Sequence, residues 1–395
     1  MNPFDFISVS RIVFGRGQFN RIGELATEFG RSAFVVTNAD RAGKQGLQDR
    51  LAGLLASKNI RSTLFWLSGE PTAADVDRGV AEARAAGCDV VLGLGGGSAI
   101  DAAKAVAGLL SNGGAALDYM EVVGKGLKLS RPSIPFIAIP TTAGTGAEVT
   151  RNAVIGCPEK KFKASIRSEH LLPRVALVDA ELTLALRPEI IARTGMDALT
   201  QLIESYTSKN AQPLTDALAL QGIKFAVRAL PRAFIDSSGT DLDAREDMSM
   251  AALLSGITLA NAGLGAVHGF AAPLGALFPM PHGTVCAALL PHVMRANIAA
   301  LHHETQVQPL LERYAEVGRL LTGRLEAGAT DAAQAGVQAA SNLARQFQIP
   351  GLSQFGLVEK DFPAVIALAR KSSSMRYNPV VLPDHALAEI LRAAL

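Results

Sequence analysis

The chain has 395 residues, of which 49% are hydrophobic, and it carries 38 Lys plus Arg against 36 Asp plus Glu. This length predicts two domains, and the composition indicates packed cores rather than disorder. Because the charges nearly balance, nothing in them favours nucleic acid or an anionic membrane, and neither is expected as a partner.

The three cysteines, Cys88, Cys157 and Cys286, form no CxxC pair, and the opening segment MNPFDFISVSRIVFG shows no basic stretch followed by an apolar run. We interpret the cysteines as ordinary reduced residues, without a disulfide framework or a zinc knuckle. No signal peptide is expected. Together these features predict a cytoplasmic protein.

Short apolar runs alternate with helical stretches up to about residue 185. Strands are predicted at SAFVVT, STLFWL, DVVLGLG and SIPFIAIPT, and helices are predicted between them. Strands that are apolar throughout and alternate with helices indicate a parallel sheet covered on both faces. We therefore predict an α/β domain over residues 1–185.

From about Arg187, Ala- and Leu-rich segments with helical spacing dominate, and no further strand is predicted. We therefore predict an all-α domain over residues 186–395. Residues 248–294 contain no Asp, Glu, Lys or Arg, so a membrane span has to be considered. The histidines and prolines inside this run favour buried helices that carry a polar site.

The segment GLGGGSAIDAAK follows a predicted strand and opens a helix. Gly95, Gly96 and Gly97 allow a ligand to approach the backbone closely. Ser98 is expected to cap the helix, with Asp101 in the capping-box position. The helix N-terminus would then form an anion site suited to a pyrophosphate. A purely structural turn is the alternative, since the segment is not the usual GxGxxG fingerprint.

A second loop, PTTAGTGAEVT, follows the next predicted strand and concentrates the hydroxyl groups of Thr141, Thr142 and Thr145. Ligands of parallel α/β sheets bind at the carboxyl ends of the strands. These hydroxyls are therefore expected to contact phosphate and ribose oxygens.

Asp197 and Gln201 lie four residues apart in a helical stretch and share one face, while His268 and His282 lie fourteen residues apart. On one straight helix these histidines would be separated by about 21 Å. The intervening Pro279–Pro281 segment is expected to break the helix and bring them together. One carboxylate and two imidazoles suit Zn²⁺ or Fe²⁺.

The chain resembles the iron-containing (group III) alcohol dehydrogenase family over nearly its whole length. The resemblance is carried by FGRG, GLGGGSAIDAAK, IPTTAGTGAEVT, LLPRVALVDAELT, TGMDALTQLIESYTS, NAGLGAVHGFAAPLGALFPMPHG, LLPH and a final Asn378–Pro379. It implies a dinucleotide-binding α/β domain and a C-terminal helical domain that binds metal and substrate, with the ligands in the cleft between them.

The resemblance also assigns roles to individual residues. It places the cofactor at Asn38, Gly95, Gly96, Gly97, Ser98, Asp101, Thr141, Thr142, Thr145, Lys163 and Leu182. It places the metal on Asp197, His268 and His282, which we regard as the catalytic residues, and the substrate near Asn152, Leu259, Phe270 and Ala272.

Two positions depart from the family pattern. Gln201 stands where a fourth ligand, histidine, is usual, and Ala272 replaces a second histidine near the substrate. Gln201 is therefore an optional fourth ligand or a substrate contact. With Ala272, no protein group is evident as a proton relay.

The coenzyme prediction depends on the end of the strand SAFVVT. Many NAD-using members of the family have Asp where this chain has Asn38, and Asp40 follows two residues later. A carboxylate there binds the ribose 2′-hydroxyl and repels a 2′-phosphate. NAD is favoured, with NADP as the alternative.

The resemblance implies Lewis-acid-assisted hydride transfer between nicotinamide and a small alcohol, aldehyde or ketone. The resemblance also implies a homodimer, which in this family often forms through the N-terminal strand. Two other functions remain open, namely a lyase that resembles 3-dehydroquinate synthase and a catalytically decayed nucleotide-binding relative.

Overall fold

The computed structural model describes residues 3–38, 41–160, 162–236, 238–301 and 307–395. The first half contains eight described strands and five described α-helices. The strands are β1 Ile12–Phe14, β2 Ser32–Asn38, β3 Arg61–Leu67, β4 Val90–Gly95, β5 Phe136–Pro140, β6 Asn152–Cys157, β7 Phe162–Arg167 and β8 Val175–Val178. The helices are α1 Ile22–Thr27, α2 Arg41–Ala56, α3 Ala73–Ala85, α4 Gly97–Asn112 and α5 Ala116–Tyr119.

Six of the strands form one parallel sheet in the order β1-β8-β5-β4-β2-β3. The chain runs from β2 outward to β3 and then returns to the other side of β2 with β4. The strand order therefore reverses between β2 and β4, and ligands of open α/β sheets bind beside such a reversal. Asn38 ends β2 and Gly95 ends β4, so both lie at this point.

Successive residues of the central strands pack on opposite faces of the sheet. Phe34 and Val36 belong to a buried cluster with α3 and α4, whereas Ala33 and Val35 belong to a cluster with α1 and α2. Both faces are covered, which is why buried residues follow one another without alternation along these strands. The prediction of a parallel sheet between helical layers is confirmed.

Four strands were not predicted from the sequence. β1 and β8 are short and add one edge of the sheet, and β6 and β7 form a separate antiparallel hairpin. The hairpin exposes alternate residues such as Val154, so it lacks the continuous apolar run that identified the central strands.

A fully buried lysine connects α4 to the segment that leads into the hairpin. Lys104 Nζ donates to Thr150 Oγ1 at 2.7 Å and to the carbonyl oxygen of Asn152 at 2.9 Å, and it pairs with Asp101 at 3.3 Å. Burial lowers the pKa of Lys104 although Asp101 opposes this shift. These contacts satisfy a charge that would otherwise be costly to bury.

The second half contains nine described α-helices and, after β8, no strand among the described residues. The helices are α6 Pro188–Thr207, α7 Pro213–Ile235, α8 Leu242–Ala262, α9 Ala266–Leu277, α10 His282–Leu301, α11 Val307–Thr322, α12 Ala329–Gln346, α13 Phe362–Ala369 and α14 Asp384–Ala393. The prediction of a helical second half is confirmed.

The uncharged run from Met248 to Met294 lies in α8, α9 and α10. Among the described residues, α10 alone is long and apolar enough to cross a membrane, and 61% of its most apolar window is buried. α8 and α9 pass the same test together, but they are bent by 100° at their junction. Most of this run therefore forms protein core.

The described residues group into two compact units. One contains residues 8–142 and 146–186, and the other contains the described residues before Ser8, residues 143–145 and those from Arg187 onward. Thr141 and Thr142 thus belong to the α/β unit, whereas Thr145 belongs to the helical unit. The boundary at residues 185/186 stays a prediction.

Replacing Lys104 with Met keeps the aliphatic volume but removes the charge and three contacts. Because Asp101 and the Thr150 hydroxyl lose their buried partner, we expect the free energy of unfolding to fall by about 3 kcal/mol. Urea denaturation followed by circular dichroism measures this loss. The exposed Lys128→Met in the same unit is the matched control, and equal stability of the two variants would contradict the assignment.

Candidate metal centre and nucleotide-binding loops

Three predicted metal ligands converge in the helical unit. Asp197 lies in α6, His268 in α9, and His282 is the first residue of α10. Asp197 Oδ1 lies 3.2 Å from His268 Nε2 and 3.6 Å from His282 Nε2, and the two imidazole rings are 5.4 Å apart. The prediction that these residues meet is confirmed.

The break between α9 and α10 allows this convergence. α9 ends at Leu277 and α10 begins at His282, so the segment with Pro279 and Pro281 interrupts the helix as predicted. The residue after His282 is Gly283, where a Cβ atom would lie 2.2 Å from the carbonyl oxygen of Arg193. The absence of a side chain at Gly283 therefore lets the start of α10 lie against α6.

Glu204 lies on the same face of α6 as Asp197, two turns further along, and it orients His268. Its Oε2 lies 2.6 Å from His268 Nδ1, and its Oε1 accepts a hydrogen bond from Val267 N at 2.7 Å. With Nδ1 donating to this carboxylate, the lone pair of Nε2 would be available to a cation once the ring is neutral. Carboxylates that hold a metal-binding histidine in this way are typical of metal sites.

Cys286 also belongs to this group. Its Sγ lies 3.6 Å from His268 Nε2 and 3.7 Å from His282 Nε2, and the donor atoms of Asp197, His268, His282 and Cys286 all lie within 4.8 Å of one another. Cys286 forms no disulfide with another described residue, and its polar neighbours differ from those of the ordinary cysteine that the sequence suggested.

Glu204 and Cys286 were not predicted from the sequence, although their spacing from the predicted ligands contained the signal. Cys286 lies four residues after His282, and Glu204 lies seven residues after Asp197, so each shares a helix face with a predicted ligand. Gln201 is buried, and its Oε1 accepts a hydrogen bond from Ser255 Oγ at 3.1 Å.

The electrostatics of the cluster favour positive charge. Burial opposes protonation of the two imidazoles, but Cys286 and Asp197 outweigh it, raising the pKa of His268 well above its usual range and that of His282 to about 9. For Asp197, burial is outweighed by His282 and His268, and the pKa of the carboxyl is lowered. A buried carboxylate beside two imidazoles and a sulfur suits a divalent cation.

The glycine turn of the α/β unit is shaped for a close ligand. Gly95 has a φ of +157°, and a Cβ atom there would lie 2.6 Å from Asn38 Oδ1. A Cβ atom on Gly96 would lie 3.3 Å from Thr142 Oγ1, and Thr141 N donates to the carbonyl oxygen of Gly95. The structure thus brings together Asn38, the glycine turn and the first threonines of the second loop.

Two features leave this turn open to an anion. The N-cap of α4 is Gly96, and no side chain within the described ranges caps the helix. The buried Thr141 Oγ1 has no hydrogen-bond partner there either. Phosphate oxygens would supply the missing acceptors, so these residues fit a dinucleotide.

The capping role expected of Ser98 and Asp101 was wrong. Because Gly96 is the N-cap, Ser98 already lies within the first turn of α4. The Asp101 carboxylate instead accepts from Val154 N at 3.0 Å and pairs with Lys104. The charge of Asp101 is thus used to satisfy the buried lysine.

Other predicted site residues have local partners. Lys163, in β7, pairs with Glu70, and Leu182 packs against the sheet core. Asp40, on which the coenzyme prediction also depends, lies outside the described residues. The remaining cofactor residues, Gly97 and Thr145, are partly exposed.

The predicted substrate residues fall in both units. Asn152 begins β6, Leu259 lies in α8, and Phe270 and Ala272 lie in α9. Phe270 is fully buried, whereas the other three are partly exposed. Their contact with substrate stays a prediction.

Replacing Glu204 with Gln keeps the side-chain shape but removes the charge that orients His268. We expect the affinity for Zn²⁺ to fall by about 10–100-fold while the fold is retained. Competition with a chromophoric chelator measures the affinity. Glu189→Gln, at an exposed position of the same helix, is the control, and an unchanged affinity in Glu204→Gln would contradict the orienting role.

Comparisons with known proteins agree with this geometry. Residues 9–180 match the model of the family "Iron-containing alcohol dehydrogenase", and residues 191–395 match that of "Fe-containing alcohol dehydrogenase family, C-terminal". The chain is 35% identical to the 1,3-propanediol dehydrogenase of Klebsiella pneumoniae, over 99% of this chain and 98% of that protein. It is 33% identical to the NAD-dependent methanol dehydrogenase of Bacillus methanolicus, over 97% of each.

The fold agrees equally well. A crystal structure of a 1,3-propanediol oxidoreductase superposes with a TM-score of 0.92 at 34% identity, covering 100% of both chains. Both halves of the chain, its fold and its Asp/His/His site thus match one group of enzymes. The chain belongs to the iron-containing alcohol dehydrogenase family.

Proposed function

We propose that this enzyme transfers a hydride between NAD and a small alcohol or carbonyl compound with the help of a divalent metal ion. The proposal depends on the convergence of Asp197, His268 and His282 from three helices. Asp197 Oδ1 lies 3.2 Å from Nε2 of His268 and 3.6 Å from Nε2 of His282. The family membership supports the reaction type, and the donor atoms support the cation.

Asp197, His268 and His282 would hold the metal, with Glu204 fixing the ring of His268. When bound, such a cation acts as a Lewis acid on the substrate oxygen. The protein itself provides the charge that would hold the cation and the access that a substrate needs. Asp197 supplies a buried negative charge, and the side chain of His282 is 42% exposed, which would leave the metal accessible to a small substrate.

The α/β unit would bind the coenzyme. Gly95, Gly96 and Gly97 let the pyrophosphate approach the N-terminus of α4, and Thr141 and Thr142 supply hydroxyls beside it. When bound, nicotinamide supplies or accepts the hydride. The NAD-dependent relative supports NAD over NADP, and Asn38 at the end of β2 is the residue that would face the adenine-side ribose.

Ala272 offers no proton-transferring group, so we propose that protons reach the substrate through water or the nicotinamide ribose. Asn152, Leu259 and Phe270 would contribute to a small, mainly apolar pocket. The relatives that act on propanediol and methanol support short alcohols as substrates. We also propose a cytoplasmic homodimer, as the resemblance implies.

Replacing His268 with Ala removes a metal ligand but leaves the coenzyme site untouched. We expect the turnover of NADH with short aldehydes to fall about 1000-fold, which corresponds to about 4 kcal/mol. The absorbance of NADH at its nicotinamide band measures turnover, and fluorescence titration measures NADH binding.

The exposed His385→Ala is the control. Full activity of His268→Ala in the presence of a chelator would contradict the metal role. A wild-type protein that binds NADH tightly but oxidises it with none of the carbonyl compounds tested would instead indicate a lyase or a decayed enzyme.

Replacing Asn38 with Asp places a carboxylate beside Gly95. Because that charge repels a 2′-phosphate, we expect kcat/KM for NADPH to fall at least about tenfold while kcat/KM for NADH is kept. Steady-state kinetics with both coenzymes measure the ratio. The isosteric exchange leaves the strand unchanged, so an unaltered ratio would mean that Asn38 does not face the ribose.

A further inference from the structure

Cys286 occupies a position in the metal cluster that none of the other assignments explains. It is fully buried one helical turn into α10, four residues after His282, and its sulfur faces both imidazoles. A buried cysteine that only fills space needs apolar neighbours, whereas this one has three polar donors around it.

The spacing of the four donor atoms fits a single metal ion, since all four lie within 4.8 Å of one another. Zinc bonds of about 2.0–2.3 Å to nitrogen, oxygen and sulfur place neighbouring donors about 3.3–3.6 Å apart. In the structure, Asp197 Oδ1 lies 3.2 and 3.6 Å from the two imidazole nitrogens, and Cys286 Sγ lies 3.6 and 3.7 Å from the same nitrogens. The sulfur therefore lies at a distance from both nitrogens that suits a fourth ligand of the same ion.

Gln201, the alternative fourth ligand, is engaged elsewhere. Its Oε1 accepts from Ser255 Oγ, and the same hydroxyl lies 2.8 Å from the carbonyl oxygen of Ala252 and 3.3 Å from that of Gly144. An amide oxygen is also a weaker ligand than a thiolate for a transition metal.

We propose that Cys286 is the fourth protein ligand of the metal and that this Asp/His/His/Cys set selects Zn²⁺ over Fe²⁺. Thiolate sulfur favours zinc, whereas imidazole and carboxylate accept either ion. The thiol binds after losing its proton to solvent. A zinc ion held by these four residues would accept the substrate oxygen as a further ligand.

This inference rests on the metal site of the proposed function, and its test separates the two. The protein is loaded with zinc under reducing conditions, and its zinc K-edge X-ray absorption is recorded. We expect one sulfur neighbour at about 2.3 Å and nitrogen or oxygen neighbours at about 2.0–2.2 Å. Stoichiometric zinc without a sulfur neighbour would overturn the Cys286 assignment alone, whereas failure to bind zinc or iron at all would overturn the proposed function.

Variants identify the sulfur. Cys286→Ser should remove the sulfur signal, while Cys157→Ser, a buried cysteine of the hairpin, and Gln201→Ala should retain it. A signal that survives in Cys286→Ser or disappears in Gln201→Ala would overturn the proposal. The wild-type spectrum decides the presence of sulfur even if a variant fails to fold.

Metal selectivity gives a second readout. The apoprotein is dialysed anaerobically against equal concentrations of Zn²⁺ and Fe²⁺, and both metals are then quantified. We expect wild type to retain zinc. We expect the zinc-to-iron ratio of Cys286→Ser to fall at least about tenfold. Removing a residue that only orients a ligand already lowers metal affinity by about 10–100-fold, so removing a ligand should have at least the smaller of these effects. Preferential retention of iron by the wild type would overturn the claim of zinc selection.

Discussion

The hydrogen bonds of Glu204 are the contact on which the metal centre depends. One carboxylate accepts from the Val267 backbone at the start of α9 and from the ring of His268, so the position of the helix and the rotation of the imidazole are set together. Asn378 Oδ1 accepts from Ala266 N at the same helix end. A buried polar group without a hydrogen-bond partner is costly. Because each of these groups has a partner only in this arrangement, the hydrogen bonds favour a single position of α9 and of the His268 ring.

The two halves of the chain use glycine and helix ends for different purposes. In the α/β unit, Gly95 and Gly96 keep the N-terminus of α4 free of side-chain caps, which suits a phosphate. In the helical unit, Gly283 lets the start of α10, which carries His282, pack against α6, which carries Asp197. An anion site and a cation site are thus built from ordinary secondary structure.

Much of the fold was predictable because burial determines the sequence pattern. The central strands are covered on both faces and read as continuous apolar runs, and the proline segment before His282 marked the helix break correctly. The hairpin β6–β7 was missed because its strands are partly exposed and lack the continuous apolar run of the central strands. The N-cap of α4 was wrongly predicted at Ser98 because glycine and serine are both good N-caps. Only the backbone conformation shows that Gly96 is the residue before the first turn.

The site was predictable where a ligand follows a motif and unpredictable where it depends on tertiary contacts. Asp197, His268 and His282 stood out by residue type. Glu204 looked like an ordinary helix carboxylate, and Cys286 looked like a small core residue, because one sequence does not show which helix faces meet. The packing of α6, α9 and α10 brings those faces together.

Anomalous X-ray diffraction from a crystal of the metal-loaded enzyme, recorded on both sides of the absorption edge, tests the central claim most directly. The account predicts one strong anomalous peak within bonding distance of Asp197, His268 and His282. A metal peak at a different position, or an active enzyme with no peak among these three residues, would contradict it.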